Sequence, residues 1–426
     1  MGAESAAEEQ NIAMGSSDIE SIVIVGGGMA GDACAAKLRQ LGYAGRITII
    51  AEEPWRPYER PPLSKQALQE AAMIAESFSL KPGDWYDEAG IELVLGCAAV
   101  KLDTAARSVR LENGESVQYD RLLLATGGRV RKLRLAGADA GNVHYLRTKE
   151  DAMALACPLV PGARIAVVGM GVIGAEVAAS ARGFGCEVVA IEPEAGPMMR
   201  ALGSRMSNWL AGLHRAHGVR VLYNTSVEGL VLTDGEVSEV VCSNGTHVPC
   251  DVVCVGIGIE PAVELARDAG LEVANGIVVN RQNRTAMPEV FAAGDVAEVP
   301  GYFGGRVRYE TYQNSAEQGN VAALGMLGLE CDNLSPCSFW SDQYECHIQV
   351  VGKISEDLDV ICRGSMQDQD FILFYAKSGR VVGAVGVNRP KDIAIARRLI
   401  LAQVDVDSKD LASEDISLRN LIRANA

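Results

Sequence analysis

The sequence is short of positive charge and of histidine, and it has no long hydrophobic run. Its 39 lysines and arginines stand against 55 aspartates and glutamates, a formal net charge of −16. Binding a polyanion relies on neutralising its phosphates, so this charge argues against nucleic acid or an anionic membrane as the main partner. Five histidines, none with ligand spacing beside paired cysteines, predict no metal site. No apolar run approaches the roughly 18 residues of a membrane span.

Cysteine is present but does not occur as a CxxC pair. The 11 cysteines are odd in number and lie mostly in apolar runs. This pattern is typical of reduced, buried thiols in a cytoplasmic protein. The first 20 residues carry five acids, no lysine or arginine and no apolar core, so we expect them not to be a signal peptide. We expect residues 1–19 to be a disordered acidic tail.

Two strand–glycine–helix–strand units stand out in the rest of the chain. The first runs from strand Ile22–Val25 through Gly26-Gly-Gly28-Met-Ala30-Gly31 to a second strand that ends at Glu52. The other runs from strand Arg164–Val168 through Gly169-Met-Gly171-Val-Ile173-Gly174 to a strand that ends at Glu192. Each glycine motif follows an apolar strand, opens a helix and precedes an acid about 20 residues on, which is the context of a dinucleotide site.

Each position in these motifs has a physical reason. Gly26 and Gly169 permit a tight turn, whereas Gly28 and Gly171 let the backbone approach a pyrophosphate at the helix N-terminus. Gly31 and Gly174 allow close helix–strand packing, and Glu52 and Glu192 can accept hydrogen bonds from ribose hydroxyls. The alternative is a doubly wound fold without nucleotides. Two sites on one chain favour a flavin and a nicotinamide, because hydride transfer needs the donor carbon and the flavin nitrogen about 3–3.5 Å apart.

Further strand ends carry glycine or a carboxylate. They are Thr126-Gly127 after an apolar strand, Gly258 after another, and Gly294-Asp295. From about Ser338 the chain changes to short alternating runs with a Ser378-Gly379 turn, which predicts an antiparallel α+β domain.

Several longer segments resemble one family. They are Tyr58-Glu-Arg-Pro-Pro-Leu-Ser-Lys65, Leu124-Ala-Thr-Gly-Gly128, Tyr145-Leu-Arg-Thr148, Phe291-Ala-Ala-Gly-Asp295, Phe339-Trp-Ser-Asp-Gln-Tyr344 and Val387-Asn-Arg-Pro390. From residue 20 to about 400 the chain is similar to the FAD-dependent NADH:ferredoxin reductases of bacterial ring-hydroxylating oxygenases and cytochrome P450 systems. The first and fifth segments are the specific ones, since many flavoproteins share the glycine motifs.

The resemblance implies an α/β fold with two Rossmann-like dinucleotide-binding domains, glutathione-reductase-like, and a C-terminal α+β domain. We predict an FAD-binding domain over 20–129 and 255–333, an NADH-binding domain over 130–254 and a C-terminal domain over 334–426. The expected cofactor-binding residues are Gly26, Gly28, Ala30, Gly31, Glu52, Arg60, Lys65, Ala99, Thr126, Gly127, Arg147, Gly169, Gly171, Ile173, Gly174, Glu192, Gly258, Gly294, Asp295, Tyr312 and Trp340.

The resemblance also assigns roles to some of these residues. Lys65 would lie near the isoalloxazine ring, Arg147 would reach the FAD, and Asp295 would bind the ribityl hydroxyls. In relatives the lysine pairs with a glutamate that matches Glu176, so we predict Lys65 and Glu176 as the catalytic pair. Glu176 follows Gly174 closely, and we expect it in the first turn of the helix, where the dipole favours a carboxylate; an unrelated helix-start glutamate is the alternative.

Disulfide reductases on this scaffold place a reactive cysteine soon after the first unit, and this chain has none in the stretch that follows Arg60. Electrons must therefore leave FAD directly. Trp340 and Tyr344 are candidates for an exit route or, equally, for core aromatics. An acidic ferredoxin would dock on a local basic patch, either Arg129, Arg131, Lys132 and Arg134 or Lys391, Arg397 and Arg398.

We therefore expect an enzyme that moves a hydride from NADH to FAD and single electrons to a [2Fe–2S] ferredoxin, which feeds a terminal oxygenase. Rubredoxin reductase and hydrogen-peroxide-forming NADH oxidase are enzymatic alternatives, and an apoptosis-inducing-factor-like binding protein is the alternative from another class. Glu192 predicts at least about tenfold preference for NADH over NADPH, since its charge repels a 2′-phosphate. The oligomeric state is left open.

Overall fold

The computed structural model describes residues 19–69, 78–332 and 334–424. The chain divides into two compact units. Unit 1 contains the residues up to 59 together with 78–129 and 260–335, and unit 2 contains 60–77, 130–259 and 336–426. All but the last residue of the predicted acidic tail lies outside the described residues. Within the described ranges, no helix is long and apolar enough to cross a membrane.

Unit 1 is built on a five-stranded parallel sheet. Its strands, in spatial order, are Val290–Ala292, Arg121–Leu124, Ser21–Val25, Arg46–Ala51 and Ile91–Leu95. The central strand Ser21–Val25 is buried at every position, as a strand covered on both faces must be. Helix Met29–Gln40 follows it and packs closely against helix Tyr312–Met326. The first predicted unit is thus confirmed, with element ends shifted by one or a few residues.

The rest of unit 1 consists of small sheets and short helices. One sheet has strands Ala99–Asp103, Ser108–Leu111 and Ser116–Gln118, another has Ile277–Val278, Ala297–Pro300 and Arg306–Val307, and the short helices are Trp85–Glu88 and Glu264–Asp268. Two further short strands, Gly128–Val130 and Ile259–Pro261, lie where the chain leaves and re-enters the unit.

Unit 2 contains a second five-stranded parallel sheet. Its strands, in spatial order, are Arg220–Leu222, Glu187–Ile191, Arg164–Val168, Val252–Val255 and Val143–Tyr145. A three-stranded antiparallel sheet accompanies it, with strands Val227–Thr233, Glu236–Cys242 and His247–Pro249. The helices of this part are the 3₁₀ turn Pro61–Ser64 and helices Gln66–Gln69, Lys149–Ala156, Val172–Gly183 and Met199–Ala216.

The last part of unit 2 is the predicted antiparallel α+β region. Its five strands, in spatial order, are Ser338–Gln343, Cys346–Gly352, Arg380–Val387, Asp370–Lys377 and Asp359–Ser365, and its helices are Pro390–Ala402, Ser408–Ala412 and Leu418–Ala424. Ser378 and Gly379 connect two neighbouring strands with φ of 51° and 81°. Positive φ at both positions is the geometry of the tight hairpin turn that the sequence predicted.

Candidate functional site

The first glycine loop, in unit 1, has no room for side chains at two of its positions. A Cβ on Gly26, whose φ is +122°, would lie 2.1 Å from the Ala125 carbonyl oxygen, and one on Gly31 would lie 2.2 Å from that of Gly26. Gly28, in contrast, has nothing within 4 Å of a built Cβ. The loop is therefore tight towards the protein and open at the helix N-terminus, as an approaching pyrophosphate needs.

Groups around this loop fit a nucleotide with a sugar chain. Glu52 follows the second strand and is exposed, so its carboxylate is accessible to ribose hydroxyls. At Gly294 the backbone N–H donates to Gln318 Oε1 at 2.8 Å. The buried Nε2 of the same amide has no acceptor among the described residues, which leaves a donor close to the Gly294-Asp295 turn. The donor set of unit 1 is thus compatible with a bound dinucleotide.

A buried ion pair lies in the first helix, and the sequence reasoning missed it. Asp32 is fully buried and forms an ion pair with Lys81 at 3.0 Å. The Tyr86 hydroxyl donates to its other oxygen at 2.6 Å, and burial together with this carboxylate raises the pKa of the Tyr86 phenol. Lys81 thereby balances a negative charge near the helix N-terminus. An acid directly after a glycine motif was the only available sequence signal.

The second glycine loop, in unit 2, repeats the geometry of the first. A Cβ on Gly169, with φ of +90°, would lie 2.6 Å from the Gly256 carbonyl oxygen. One on Gly174 would lie 1.9 Å from the carbonyl oxygen of Gly169, whereas Gly171 has nothing within 4 Å. Helix Val172–Gly183 begins at this loop. Both loops therefore have the same two closed positions and the same open one.

The two acids that follow the loops differ, although their motif positions match. Glu192 is 6% exposed, in contrast to the exposed Glu52. Its Oε2 accepts from the Met170 N–H at 2.6 Å and its Oε1 from the Glu194 N–H at 2.8 Å. Glu192 therefore holds the glycine loop in place, and its remaining lone pairs are what a ribose could use. Its role in NADH preference stays a prediction.

A second acid, Glu194, lies near the same strand end. It forms an ion pair with Arg200, whose Nη2 is 2.7 Å and whose Nε is 2.9 Å from Glu194 Oε1. The Arg200 side chain is 87% exposed and that of Glu194 is 38% exposed. Arg200, the nearest cation along the chain and the second residue of helix Met199–Ala216, is thus neutralised by an acid six positions before it.

The predicted pair of Lys65 and Glu176 is formed within unit 2. Lys65 Nζ lies 3.0 Å from Glu176 Oε1, with the side chains 13% and 2% exposed. The Ser341 hydroxyl donates to Glu176 Oε1 at 2.7 Å, and the Ser64 hydroxyl makes a short hydrogen bond to Oε2. Burial raises the pKa of Glu176, while Lys65 and the two hydroxyls pull it back down. These partners favour a buried carboxylate that stays charged.

One detail of that prediction is wrong. Glu176 is the fifth residue of helix Val172–Gly183 and lies beyond its first turn, which contains no acid. The helix begins two residues before Gly174, since the glycine motif itself forms the start of the helix. The Glu176 carboxylate is thus stabilised by Lys65, Ser64 and Ser341 instead of by the helix dipole.

The predicted cofactor-binding residues fall in both units. Unit 1 contains Gly26, Gly28, Ala30, Gly31, Glu52, Ala99, Thr126, Gly127, Gly294, Asp295 and Tyr312. Unit 2 contains Arg60, Lys65, Arg147, Gly169, Gly171, Ile173, Gly174, Glu192, Gly258 and Trp340, in addition to Glu176.

One pair of these residues is in direct contact, and two others bond to neighbouring residues. In unit 2, Arg60 Nη1 donates to the Arg147 carbonyl oxygen at 2.7 Å. In unit 1, the Tyr312 hydroxyl donates to Glu59 Oε1 at 3.2 Å, and the Thr126 hydroxyl donates to the Ala262 carbonyl oxygen at 2.7 Å.

Two further candidates lie on strands. Ala99 begins a strand of a small sheet and is half-buried. Trp340 lies on strand Ser338–Gln343, also half-buried. Both assignments stay predictions.

Cysteine thiols could form a relay for electrons, which the sequence argues against. Cys34, inside the first helix, is a free cysteine, and burial raises the pKa of its thiol. A thiolate relay therefore has no support at this position.

The basic run is Arg129, Arg131, Lys132 and Arg134. Arg129 pairs with Glu264 at 2.8 Å and Lys132 with Asp139 at 3.1 Å, so half of these cations are neutralised.

Two family models match consecutive parts of this chain. Residues 20–319 match the family model of the pyridine nucleotide-disulphide oxidoreductases, and 338–422 match that of the reductase C-terminal domain. Rhodocoxin reductase of Rhodococcus erythropolis is 38% identical over 94% of this chain and 93% of its own. The ferredoxin--NAD(+) reductase subunit of a Pseudomonas putida benzene 1,2-dioxygenase system is 36% identical over 95% and 98%.

Among solved structures, putidaredoxin reductase in its covalent complex with putidaredoxin has a TM-score of 0.90 at 36% identity, covering 95% of this chain and 99% of the other. This likeness confirms the predicted fold class of two dinucleotide-binding domains and a C-terminal α+β domain. With two glycine loops of equal geometry and a family match over most of its length, the chain belongs to the pyridine nucleotide-disulphide oxidoreductase family.

Proposed function

We propose that this chain takes a hydride from NADH onto FAD and passes single electrons to a [2Fe–2S] ferredoxin that supplies an oxygenase or a cytochrome P450. The observation that carries the proposal is the pair of open glycine loops combined with the absence of a reactive cysteine after the first one. Relatives named as ferredoxin--NAD(+) reductase components of dioxygenase systems support it, with 36–39% identity over about 95% of the chain.

FAD, when bound, supplies an acceptor of two electrons that can release them one at a time. In unit 1, the N-terminus of helix Met29–Gln40 would hold its pyrophosphate, and Glu52 is accessible to a ribose. Asp295, at a strand end beside the unused donor of Gln318, suits the hydroxyls of the ribityl chain. These residues bind and orient the cofactor and leave the redox chemistry to it.

The role proposed for Lys65 is to present a cation to the flavin ring. Glu176 holds the ammonium in place, because the pair is buried and both carboxylate oxygens have further donors. A fixed cation would stabilise negative charge on a reduced flavin. If Lys65→Ala leaves both the flavin redox potential and the rate of reduction by NADH unchanged, this role is wrong.

The acceptor is tested by steady-state oxidation of NADH with a [2Fe–2S] ferredoxin, rubredoxin, oxygen or ferricyanide as electron acceptor. We expect ferredoxin to give the highest kcat/KM among the three biological acceptors. Much faster turnover with rubredoxin would make the chain a rubredoxin reductase, and hydrogen peroxide formed in step with NADH would make it an oxidase. Cytochrome c reduction that does not respond to added ferredoxin would favour a binding protein.

The docking patch can be tested in the same assay. Lys391 and Arg398 are exposed on helix Pro390–Ala402 and share one face with the exposed Leu401. We expect Lys391→Glu with Arg398→Glu to raise KM for ferredoxin roughly fivefold, about 1 kcal/mol, and to leave ferricyanide reduction unchanged, since only docking depends on these charges. The matched control reverses Arg129 and Lys132. A larger effect in the control would move the docking surface to the basic run.

A further inference from the structure

The helix that follows the second nucleotide-binding unit is broken after one turn. Helix Met199–Ala216 contains Gly203 with φ of 72° and ψ of 170°, a conformation outside the helical region. Residues other than glycine rarely adopt it, so the break is built into the sequence. The first turn, Met199–Leu202, therefore has a direction of its own, separate from that of the longer part that starts at Ser204.

The break is held by side chains from the C-terminal region of unit 2. Glu356 accepts from the Ser204 N–H at 2.5 Å with Oε1 and from the Ser204 hydroxyl at 2.9 Å with Oε2. It thus caps the longer part of the helix, whose first amides have no partner within the helix. Before the break, the Tyr375 hydroxyl donates to the Leu202 carbonyl oxygen at 3.3 Å. Both ends of the break are fixed by the same antiparallel region.

The segment before the break is tied to the nucleotide-binding loop. The Met198 N–H donates to the carbonyl oxygen of Met170, inside the glycine motif, at 2.7 Å. The Ser207 hydroxyl, past the break, donates to the Pro197 carbonyl oxygen at 2.7 Å. Gln343, also from the C-terminal region, contacts Met198 Sδ at 3.4 Å. The segment between Glu192 and the break is thus held by the glycine loop on one side and by the C-terminal region on the other.

We infer that Glu356 is a positioning residue for the nicotinamide nucleotide: by capping the broken helix it sets the segment that lines the second dinucleotide site. The C-terminal region then acts on the NADH step in addition to any part in acceptor docking. This inference rests on the proposed function in that NADH is taken as the ligand of the second glycine loop. It does not depend on which acceptor receives the electrons.

The test compares Glu356→Ala and Glu356→Gln with the matched control Asp357→Ala. Asp357 is the exposed neighbour whose carboxylate bonds to Ser355. With ferricyanide as acceptor, we expect Glu356→Ala to raise KM for NADH about fivefold, which corresponds to about 1 kcal/mol, with kcat nearly unchanged. Glu356→Gln keeps an acceptor for the Ser204 N–H, so its KM should stay within roughly twofold of wild type. Asp357→Ala should change neither parameter.

A direct titration with NAD⁺ should show the same loss of affinity in Glu356→Ala, and KM for the acceptor should not move. A merely structural role would lower the melting temperature and leave KM for NADH unchanged, which would overturn the inference.

Ser204→Ala removes the hydrogen bond from the Ser204 hydroxyl to Glu356 Oε2 and keeps the one from the Ser204 N–H. In the double variant, the loss of NADH affinity should be smaller than the sum of the losses in Ser204→Ala and Glu356→Ala. Losses that add fully would also refute the coupling. If wild type does not bind NAD⁺ at all, the proposed function fails first and this inference with it.

Discussion

Replacing Glu194 by glutamine should let this chain accept NADPH. A 2′-phosphate bound at the second glycine loop would lie near the end of strand Glu187–Ile191, where NADPH-binding relatives of this fold use an arginine. Arg200 is such a cation, but its Nε and Nη2 already donate to Glu194 Oε1, at 2.9 Å and 2.7 Å. The carboxylate of Glu194 therefore both occupies Arg200 and repels the phosphate.

The size of the effect follows from the exposure of the two side chains. Because Arg200 is 87% exposed, breaking the pair costs at most about 1 kcal/mol. Removing the carboxylate relieves roughly 1 kcal/mol of repulsion per unit charge at about 4 Å in a water-like medium. A new bond between the freed guanidinium and the phosphate adds about 1.5–3 kcal/mol. After discounting for solvent, we expect a net gain of about 2 kcal/mol, or roughly thirtyfold in kcat/KM for NADPH.

The assay measures kcat/KM for NADPH and NADH with ferricyanide as acceptor, so that ferredoxin docking plays no part. Glu187→Gln is the matched control, because it removes the same charge at the opposite, exposed end of the same strand. The gain should disappear when Glu194→Gln is combined with Arg200→Gln. A rise of less than about threefold for NADPH, or an equal rise in the control, would refute the reasoning.

Two further predictions concern buried charges. Lys65→Met removes the cation that lowers the raised pKa of Glu176. The variant should therefore lose unfolding free energy as the pH rises above the ordinary carboxyl pKa of 4.5, by about 3–5 kcal/mol at neutral pH. Urea unfolding at pH 5 and pH 8 measures this loss, and an equal loss at both pH values would contradict the prediction. Burial lowers the pKa of His214 from 6.5 to about 4, so the folded protein loses stability as the pH falls below 6.5, by about 2 kcal/mol at pH 5. His214→Gln lacks this loss, and a stability difference from wild type that stays constant between pH 5 and 7.5 would refute the assignment.

The strands, helices and glycine loops of both nucleotide-binding units could be predicted from the sequence. Their signals are local: an apolar run, glycines at fixed spacing and a helix follow one another within about 30 residues. The same locality made the positive φ of Gly26 and Gly169 predictable. It also made the closed positions Gly31 and Gly174 predictable, since the carbonyl oxygens that crowd them belong to the same loops. The position of Glu176 in its helix was misjudged because a motif indicates a helix start only approximately.

What the sequence determined by itself was the type of site, because turn geometry and apolar periodicity act between neighbours in the chain. Only the tertiary structure decided how each acid is used. Glu52 and Glu192 hold the same motif position, yet one is exposed and the other is buried on backbone amides. The bonds from Ser341 to Glu176 and from Ser204 to Glu356 join residues more than 150 positions apart. No local pattern encodes such contacts, since they exist only once packing has brought distant segments together.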